Sequence, residues 1–174
     1  GQFLATGRYT DLCGDTITNE VVLSVLPTRS PVLSLVKEAR NLDGVQSNFV
    51  SGVIVADVGD RVVYRITVGH IPASQTPVQY MQLVDRLPTQ YTFTAASPAP
   101  SSVSSNILTW NNATLMALAG GSPYTNTASA FTIFVTGTVI SCTSVGDNIA
   151  QINYGCSTDC MVFAAGDSHV FSSE

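Results

Sequence analysis

Hydrophobic and polar residues alternate in short stretches along most of the chain, and turn residues separate these stretches. The clearest stretch is 61–68, which places Val62, Tyr64, Ile66 and Val68 on one face. The residues 58–60, Val-Gly-Asp, precede it as a turn signal. A period of two, interrupted by frequent turns, predicts antiparallel β-strands.

Further strands are predicted at 78–86, 91–95, 106–111, 129–140 and 148–154. Only residues 114–119 favour a brief helical turn, and residues 97–105 form a polar Ser/Pro loop. Strands at this spacing, joined by short turns, are typical of a two-sheet sandwich. The pattern therefore predicts an all-β fold.

One turn-plus-strand segment occurs twice. Cys13 precedes Asn19 by six residues, Cys142 precedes Asn148 by six, and Gly-Asp lies between in both copies. Each asparagine begins an alternating strand. Either one strand of the sandwich is duplicated at the N-terminus, or the similarity is due to chance, since Gly-Asp turns are common.

Composition favours a secreted, extracellular or cell-surface protein. Charged residues make up only 11% of the chain, against about 25% in an average soluble domain. Uncharged polar residues must therefore cover the surface, as is common in exported β proteins. The net charge of −5 and the scattered basic residues predict no nucleic-acid partner. No apolar run is long enough for membrane insertion.

Four cysteines, Cys13, Cys142, Cys156 and Cys160, allow three disulfide connectivities. Two disulfides in an oxidising compartment are the favoured interpretation, and free buried thiols are the alternative. We predict Cys13–Cys142, from the matched positions of the two copies, and Cys156–Cys160, which closes a short loop. Neither cysteines nor histidines show the spacing of a metal site, so no metal or cofactor is predicted.

Four segments in order resemble the repeat of prokaryotic surface proteins known as domain of unknown function eleven. They are Pro-Val-Leu-Ser-Leu-Val-Lys at 31–37, the Gly-Asp strand at 59–68, Leu-Val-Asp-Arg-Leu-Pro at 83–88 with Thr-Phe at 92–93, and Asn-Ile-Ala-Gln-Ile at 148–152. The resemblance covers about residues 31–155. It implies immunoglobulin-like modules of stalks, adhesins and appendages, without catalytic function. The chain departs from this pattern in an insert at 41–56, in Gly-His-Ile-Pro at 69–72, and in a tail after the last strand.

With this resemblance, the predicted fold is an immunoglobulin-like antiparallel β-sandwich with an extra N-terminal strand. The predicted divisions are an arm at 1–30, the sandwich at 31–155 and a Cys-containing tail at 156–174. The duplicate strand at 16–26 looks like the last strand of a preceding repeat. Either the chain is an excerpt of a tandem array, or this strand is donated to a neighbouring subunit. The predicted donor residues are Thr16, Ile17, Val21, Leu23 and Val25.

The predicted function is a structural subunit of an extracellular filament, stalk or surface appendage. The subunits assemble head to tail by strand donation, so the expected partners are copies of the same chain in a homopolymer. The alternative is a cell-surface adhesin module that binds glycans or a host protein.

Three polar residues lie on predicted apolar faces. Lys37, the only lysine, shares a face with two leucines, as does Asp85, and Asn148 shares one with Ala150 and Ile152. If these faces point inward, the three side chains converge. Related collagen-adhesin and pilin modules use such a trio to form a Lys–Asn isopeptide bond. The alternative is a Lys37 that reaches solvent at the sandwich edge, with Asp85 in a salt bridge or a turn cap.

No hydrolase motif is present: the sequence lacks Gly-x-Ser-x-Gly, His-Glu-x-x-His and a phosphate-binding glycine loop, so we predict that the chain is not an enzyme. Asp57 and Asp60 lack the spacing of calcium ligands. The sequon at Asn112 predicts a candidate glycan attachment. Trp110 is interpreted as a core residue rather than as part of a sugar-stacking patch.

Overall fold

The computed structural model describes residues 2–10, 16–24, 31–44, 46–72, 74, 76–125, 127–141, 146–155 and 163–172. The chain divides into two compact units, Gly1–Ser30 and Pro31–Glu174. The elements, in chain order, are β1 (Gln2–Thr10), β2 (Thr16–Ser24), β3 (Leu33–Asn41), β4 (Ile54–Val55), β5 (Arg61–His70), β6 (Tyr80–Arg86), β7 (Tyr91–Ser97), β8 (Ser102–Ser104), β9 (Ile107–Trp110), α1 (Asn112–Leu118), β10 (Phe131–Val139), β11 (Gly146–Gly155) and β12 (Phe163–Ser172).

The first unit contains an antiparallel pair of strands. β1 and β2 pair from Gln2 opposite Ser24 to Thr10 opposite Thr16. The predicted donor strand therefore lies in β2 and pairs with β1 of its own chain. Val25, the last predicted donor residue, lies outside the described residues.

The second unit contains a four-stranded sheet, in the order β3-β5-β10-β7, and a six-stranded sheet, in the order β4-β12-β11-β6-β9-β8. Neighbouring strands are antiparallel, except that β12 and β4 pair in parallel over two residues. This architecture confirms the prediction of an all-β sandwich.

The predicted helical turn is present as α1. Asn111 caps its N-terminus, because its Oδ1 accepts a hydrogen bond from Thr114 N at 3.1 Å. Within the described ranges, no helix has the length and apolar character needed to cross a membrane.

The alternation of the sequence explains the core between the two sheets. In β3, Leu33, Leu35, Lys37 and Ala39 are buried, whereas the residues between them are exposed or half-buried. Trp110 is fully buried, and its Nε1 donates to Pro98 O at 3.0 Å, so its interpretation as a core residue is confirmed. The largest fully buried side chains otherwise include Tyr64, Tyr124, Met81 and Leu115.

β12 closes one side of the sandwich. Its residues fall in the segment that the sequence assigns to a C-terminal tail, yet they pair with β11 from Gly146 opposite Phe171 to Tyr154 opposite Phe163. β12 also approaches β3, which is an edge strand of the other sheet. Several backbone N–H groups of β3 gain acceptors beyond their own sheet; among them, Lys37 N donates to Asp167 Oδ2 at 2.8 Å and Ala39 N donates to Val50 O at 2.9 Å.

Candidate cross-linking site

The candidate site is centred on Lys37. The lysine occupies an inward position of β3, because Leu33, Leu35 and Ala39 of the same period also point into the core. Its exposed fraction is 0%. The side chain therefore does not reach solvent at the sandwich edge, and its amine is inside the protein.

The structure brings Lys37, Asp85 and Asn148 together. The Lys37 Nζ donates a hydrogen bond to Asn148 Oδ1 at 2.6 Å and another to Asp85 Oδ1. Asp85 and Asn148 are also fully buried. β3 belongs to the four-stranded sheet, whereas β6 and β11, which carry the other two residues, are neighbours in the six-stranded sheet. The three side chains therefore link the two sheets through the core.

Aromatic rings form one wall of the site. The Lys37 Nζ lies 5.3 Å from the centre of the Tyr64 ring, and Tyr64 packs edge-on against Tyr91 at a centroid distance of 5.4 Å. Tyr91 is fixed in turn, because its hydroxyl donates to Val62 O at 2.7 Å and its ring occupies the space beside Gly137. The polar trio is thus enclosed by packed side chains that exclude water.

Burial shifts the protonation of the two charged groups in opposite directions. Desolvation lowers the pKa of Lys37, and this effect is partly opposed by the negative charge of Asp85. Desolvation likewise raises the pKa of Asp85 against the positive charge of Lys37. Burial, together with the charge of Asp85, also raises the pKa of Tyr64. Both shifts in the Lys37–Asp85 pair favour a neutral amine beside a protonated carboxyl group.

Two polar atoms of the trio, Asp85 Oδ2 and Asn148 Nδ2, make no hydrogen bond of ordinary geometry with the described residues, although the Asn148 amide lies close enough to Asp85 to oppose the rise in its pKa. An unpaired buried polar atom normally costs about 1–3 kcal/mol, so it calls for an explanation. In this site, Nδ2 is the atom that would leave if the amine replaced it. Oδ2 is a carboxyl oxygen that is free to carry a proton.

The arrangement is suited to amide exchange. A neutral Lys37 amine can attack Asn148 Cγ while a protonated Asp85 polarises the carboxamide through its oxygen. The new Nζ–Cγ bond forms, the Cγ–Nδ2 bond breaks, and the proton lost by Nζ passes by way of Asp85 to the departing nitrogen. The products are a Lys37–Asn148 isopeptide bond and one molecule of ammonia, so no oxidant or cofactor is required.

The structure describes some of the other residues that were singled out from the sequence. All four cysteines, Cys13, Cys142, Cys156 and Cys160, lie outside the described residues. Asn112 begins α1, and its Oδ1 accepts a hydrogen bond from Met81 N at 2.8 Å.

Asp60 anchors a loop beside the sandwich. Its Oδ2 accepts hydrogen bonds from Asn41 Nδ2 at 2.7 Å and from Asp57 N at 3.0 Å. The described part of the chain contains no cluster of three or more His, Cys, Asp or Glu residues that could hold a metal ion.

Sequence reasoning missed Asp167, whose carboxylate accepts the backbone N–H of Lys37. The segment around it, Phe-Ala-Ala-Gly-Asp-Ser at 163–168, has no alternation that would predict a buried strand. Tyr64 had a clearer signal, since it lies on the apolar face of the most regular predicted strand.

No protein-family model and no curated protein matches the chain. Among solved structures, the chain is similar to the C-terminal domain of the Streptococcus agalactiae AgI/II polypeptide BspA, with 15% identity and a TM-score of 0.51. The match covers 99% of this chain and 58% of that one. A second structure, titled BspA_C_WT, matches at 16% identity and a TM-score of 0.50, over 99% of this chain and 59% of that one.

The chain therefore spans less than two thirds of the length of these neighbours. At this level of identity, the comparisons establish a shared fold. The chain shares its fold with the C-terminal domain of the AgI/II polypeptide BspA.

Proposed function

We propose that this chain is a structural module of a bacterial cell surface whose sandwich is locked by a Lys37–Asn148 isopeptide bond. One observation carries the proposal: Lys37, Asp85 and Asn148 are fully buried and joined by hydrogen bonds from the lysine amine. The composition, with few charges and many uncharged polar residues, and the shared fold with surface-antigen domains support the cellular location.

The position of the bond gives it a mechanical role. Lys37 lies in β3, the first strand of the second unit, and Asn148 lies in β11, the next-to-last strand. A pulling force applied to the two ends of this unit would pass directly from one strand to the other through the bond. The segment of chain between Lys37 and Asn148, which are 111 residues apart in sequence, would then be shielded from extension.

Single-molecule pulling tests this role. The shielded segment corresponds to a contour length of about 380 Å at about 3.4 Å per residue. We expect that length to be missing from the unfolding extension of the wild-type chain and to appear in Lys37→Met. Arg61→Met, which removes an exposed cation, is the matched control and should extend as the wild type does. Release of the full length by the wild type would contradict the proposal.

We further propose that the subunits assemble head to tail, with the strand at 16–26 donated to a neighbouring copy. The first unit supports this proposal, because a two-stranded hairpin is marginally stable on its own. Within the described residues, β1 and β2 each pair along one edge only. Electron micrographs and light scattering should show concentration-dependent oligomers of the full chain and monomers of residues 31–174. Monodisperse full-length monomers at high concentration would contradict strand donation.

An adhesive function is the second candidate, and a surface cluster favours it. The Phe49 ring lies 4.2 Å from the Arg65 guanidinium and 4.9 Å from that of Arg40, and it also contacts Phe134 at a centroid distance of 6.1 Å. Phe134 and Val36, on the same sheet, are each about two-fifths exposed. Phenylalanine and arginine are both enriched in protein–protein interfaces. Binding to host glycans or proteins that is lost in Phe49→Ala would support adhesion, and unchanged binding would argue against this surface.

A further inference from the structure

Asp167 is the charged group that contacts the backbone of the reactive lysine. Its Oδ2 accepts a hydrogen bond from Lys37 N at 2.8 Å. Asp167 stands opposite Ala150 in the β11–β12 pairing, and Ala150 stands opposite Asp85 in the β11–β6 pairing. The carboxylate thus joins β12 to β3 at the level of the trio.

The edge position of β3 explains why this contact matters. β3 pairs with β5 on one side only, so a backbone N–H on its other side needs an acceptor from outside the sheet. Asp167 supplies that acceptor at the residue whose side chain carries the amine. A charged acceptor makes a stronger hydrogen bond than a neutral one, and it fixes the Cα from which the Lys37 side chain extends.

We propose that Asp167 is a positioning residue for the cross-link: by docking β12 on the backbone of Lys37, it holds the amine against Asn148. This inference rests on the proposed isopeptide bond. Small displacements of a nucleophile are costly, since a misplacement of about 1 Å can slow a reaction about 100-fold. Its hydrogen bond is to the backbone of Lys37, so Asp167 acts through the position of that residue.

The charge of Asp167 gives the role a second, independent readout. The groups that face the Lys37 amine are Asp85 from β6, Tyr64 from β5 and the uncharged Asn148 from β11, and Asp167 adds a negative charge from β12. That charge favours the ammonium form and raises the pKa of Lys37. Removal of the charge should therefore produce the reactive neutral amine at lower pH.

The test follows the reaction during folding of newly made, denatured chain. Fluorescence of Trp110, the only tryptophan, reports folding, and intact mass reports the loss of about 17 Da as ammonia leaves. Asp167→Ala removes the acceptor, Asp167→Asn keeps an acceptor without the charge, and Asp57→Asn alters an exposed carboxylate as the control.

We expect Asp167→Ala to fold. Its rate of cross-linking should be at least about tenfold lower than that of the wild type, which corresponds to the loss of one charge-assisted hydrogen bond. Asp167→Asn should recover most of the rate and shift its pH profile to lower pH, an effect that a merely structural residue would not have. Asp57→Asn should match the wild type.

A wild-type rate in folded Asp167→Ala would overturn the inference. If that variant does not fold, an unshifted pH profile in Asp167→Asn would overturn it. These outcomes differ from failure of the proposed function, in which the wild-type chain itself folds without losing mass.

Discussion

Two pairs of a cation with a carboxylate behave in opposite ways in this molecule. Arg61 and Asp43 meet at the surface, where their side chains are 60% and 35% exposed and Nη2 lies 2.7 Å from Oδ1. Lys37 and Asp85 meet in the core with exposed fractions of 0%. At the surface, the hydrogen bonds from Arg61 lower the pKa of Asp43 to about 2. In the core, burial raises the pKa of Asp85 instead.

The difference shows that solvent decides what such a pair can do. Water stabilises both charges at the surface, so Arg61 and Asp43 remain an ion pair of small energetic weight. In the core, desolvation outweighs the mutual attraction and favours the neutral forms. The neutral forms are the nucleophile and the acid that amide exchange requires, so the same kind of pair becomes reactive.

The largest effect is expected from Asp85→Asn, which removes the acid and leaves Lys37 without a carboxyl partner. Cross-linking should slow by about 10²–10⁴-fold, the usual contribution of a general acid. The buried amine, which then lacks its carboxyl partner, should also destabilise the fold by about 1–3 kcal/mol, in addition to the loss of the bond. Intact mass and thermal unfolding measure the two effects. Full cross-linking in this variant would contradict the assigned role of Asp85.

Lys37→Met should abolish the cross-link but leave an apolar side chain of similar shape in the core. A bond between residues 111 apart reduces the entropy of the unfolded chain, and its loss should cost about 5 kcal/mol. For a protein of this size, that corresponds to a decrease in Tm of about 15 °C. Differential scanning calorimetry measures the change. A Tm equal to that of the wild type would mean that no covalent lock exists.

The pH dependence of cross-linking separates the buried pair from an exposed one. As pH rises through the lowered pKa of Lys37, the neutral amine accumulates and the rate increases. As pH rises through the raised pKa of Asp85, the acid is lost and the rate decreases.

The plot of cross-linking rate against pH should therefore be bell-shaped, and the rate should change about tenfold per pH unit on each side of its maximum. The two apparent pKa values belong to the Lys37–Asp85 pair rather than to either residue alone. Rates measured by quenched intact mass across pH provide the test. A rate that rises only near the ordinary lysine pKa of 10.5 would contradict burial of the amine.

Gly137→Ala tests the aromatic wall around the site. A Cβ at this position would collide with the Tyr91 ring and with Thr92 O, where the pairing of β10 with β7 shifts register. Overpacking should cost about 1–3 kcal/mol, or about 5 °C in Tm, while the cross-link still forms. Thermal unfolding and intact mass together check this expectation. An unchanged Tm would show that Tyr91 is not closely packed there.

Asp43→Asn should have the smallest effect, because it breaks only the exposed pair. The lowered pKa of Asp43 means that its stabilising contribution exists above its unfolded pKa and disappears as pH falls through about 2. At neutral pH, we expect Tm to fall by less than about 2 °C. A decrease as large as that of Lys37→Met would invalidate the contrast between surface and core.

The sequence predicted the part of the site that depends on strand periodicity. Alternation alone assigns Lys37, Asp85 and Asn148 to apolar faces, and in the structure all three are buried and in contact. Periodicity cannot show contacts made at a strand edge. Asp167 meets Lys37 through a backbone N–H between two sheets, so no pattern within either segment indicates the contact.

The fold was predictable to a similar extent. The long alternating strands, such as β5 and β10, were found close to their observed bounds, whereas β4 and β8 are too short to show a period. β12 was not predicted, because its many small and polar residues do not alternate with apolar ones and are typical of a C-terminal tail. No strand was predicted at 2–10, so the pairing of β2 with β1 was not predicted either.

The most direct test of the central claim is the intact mass of the folded wild-type chain, corrected for the oxidation state of its cysteines, followed by tandem mass spectrometry. The account predicts a mass about 17 Da below that of the sequence and a branched peptide that joins Lys37 to Asn148. A folded chain with the full sequence mass and separate Lys37 and Asn148 peptides would contradict it.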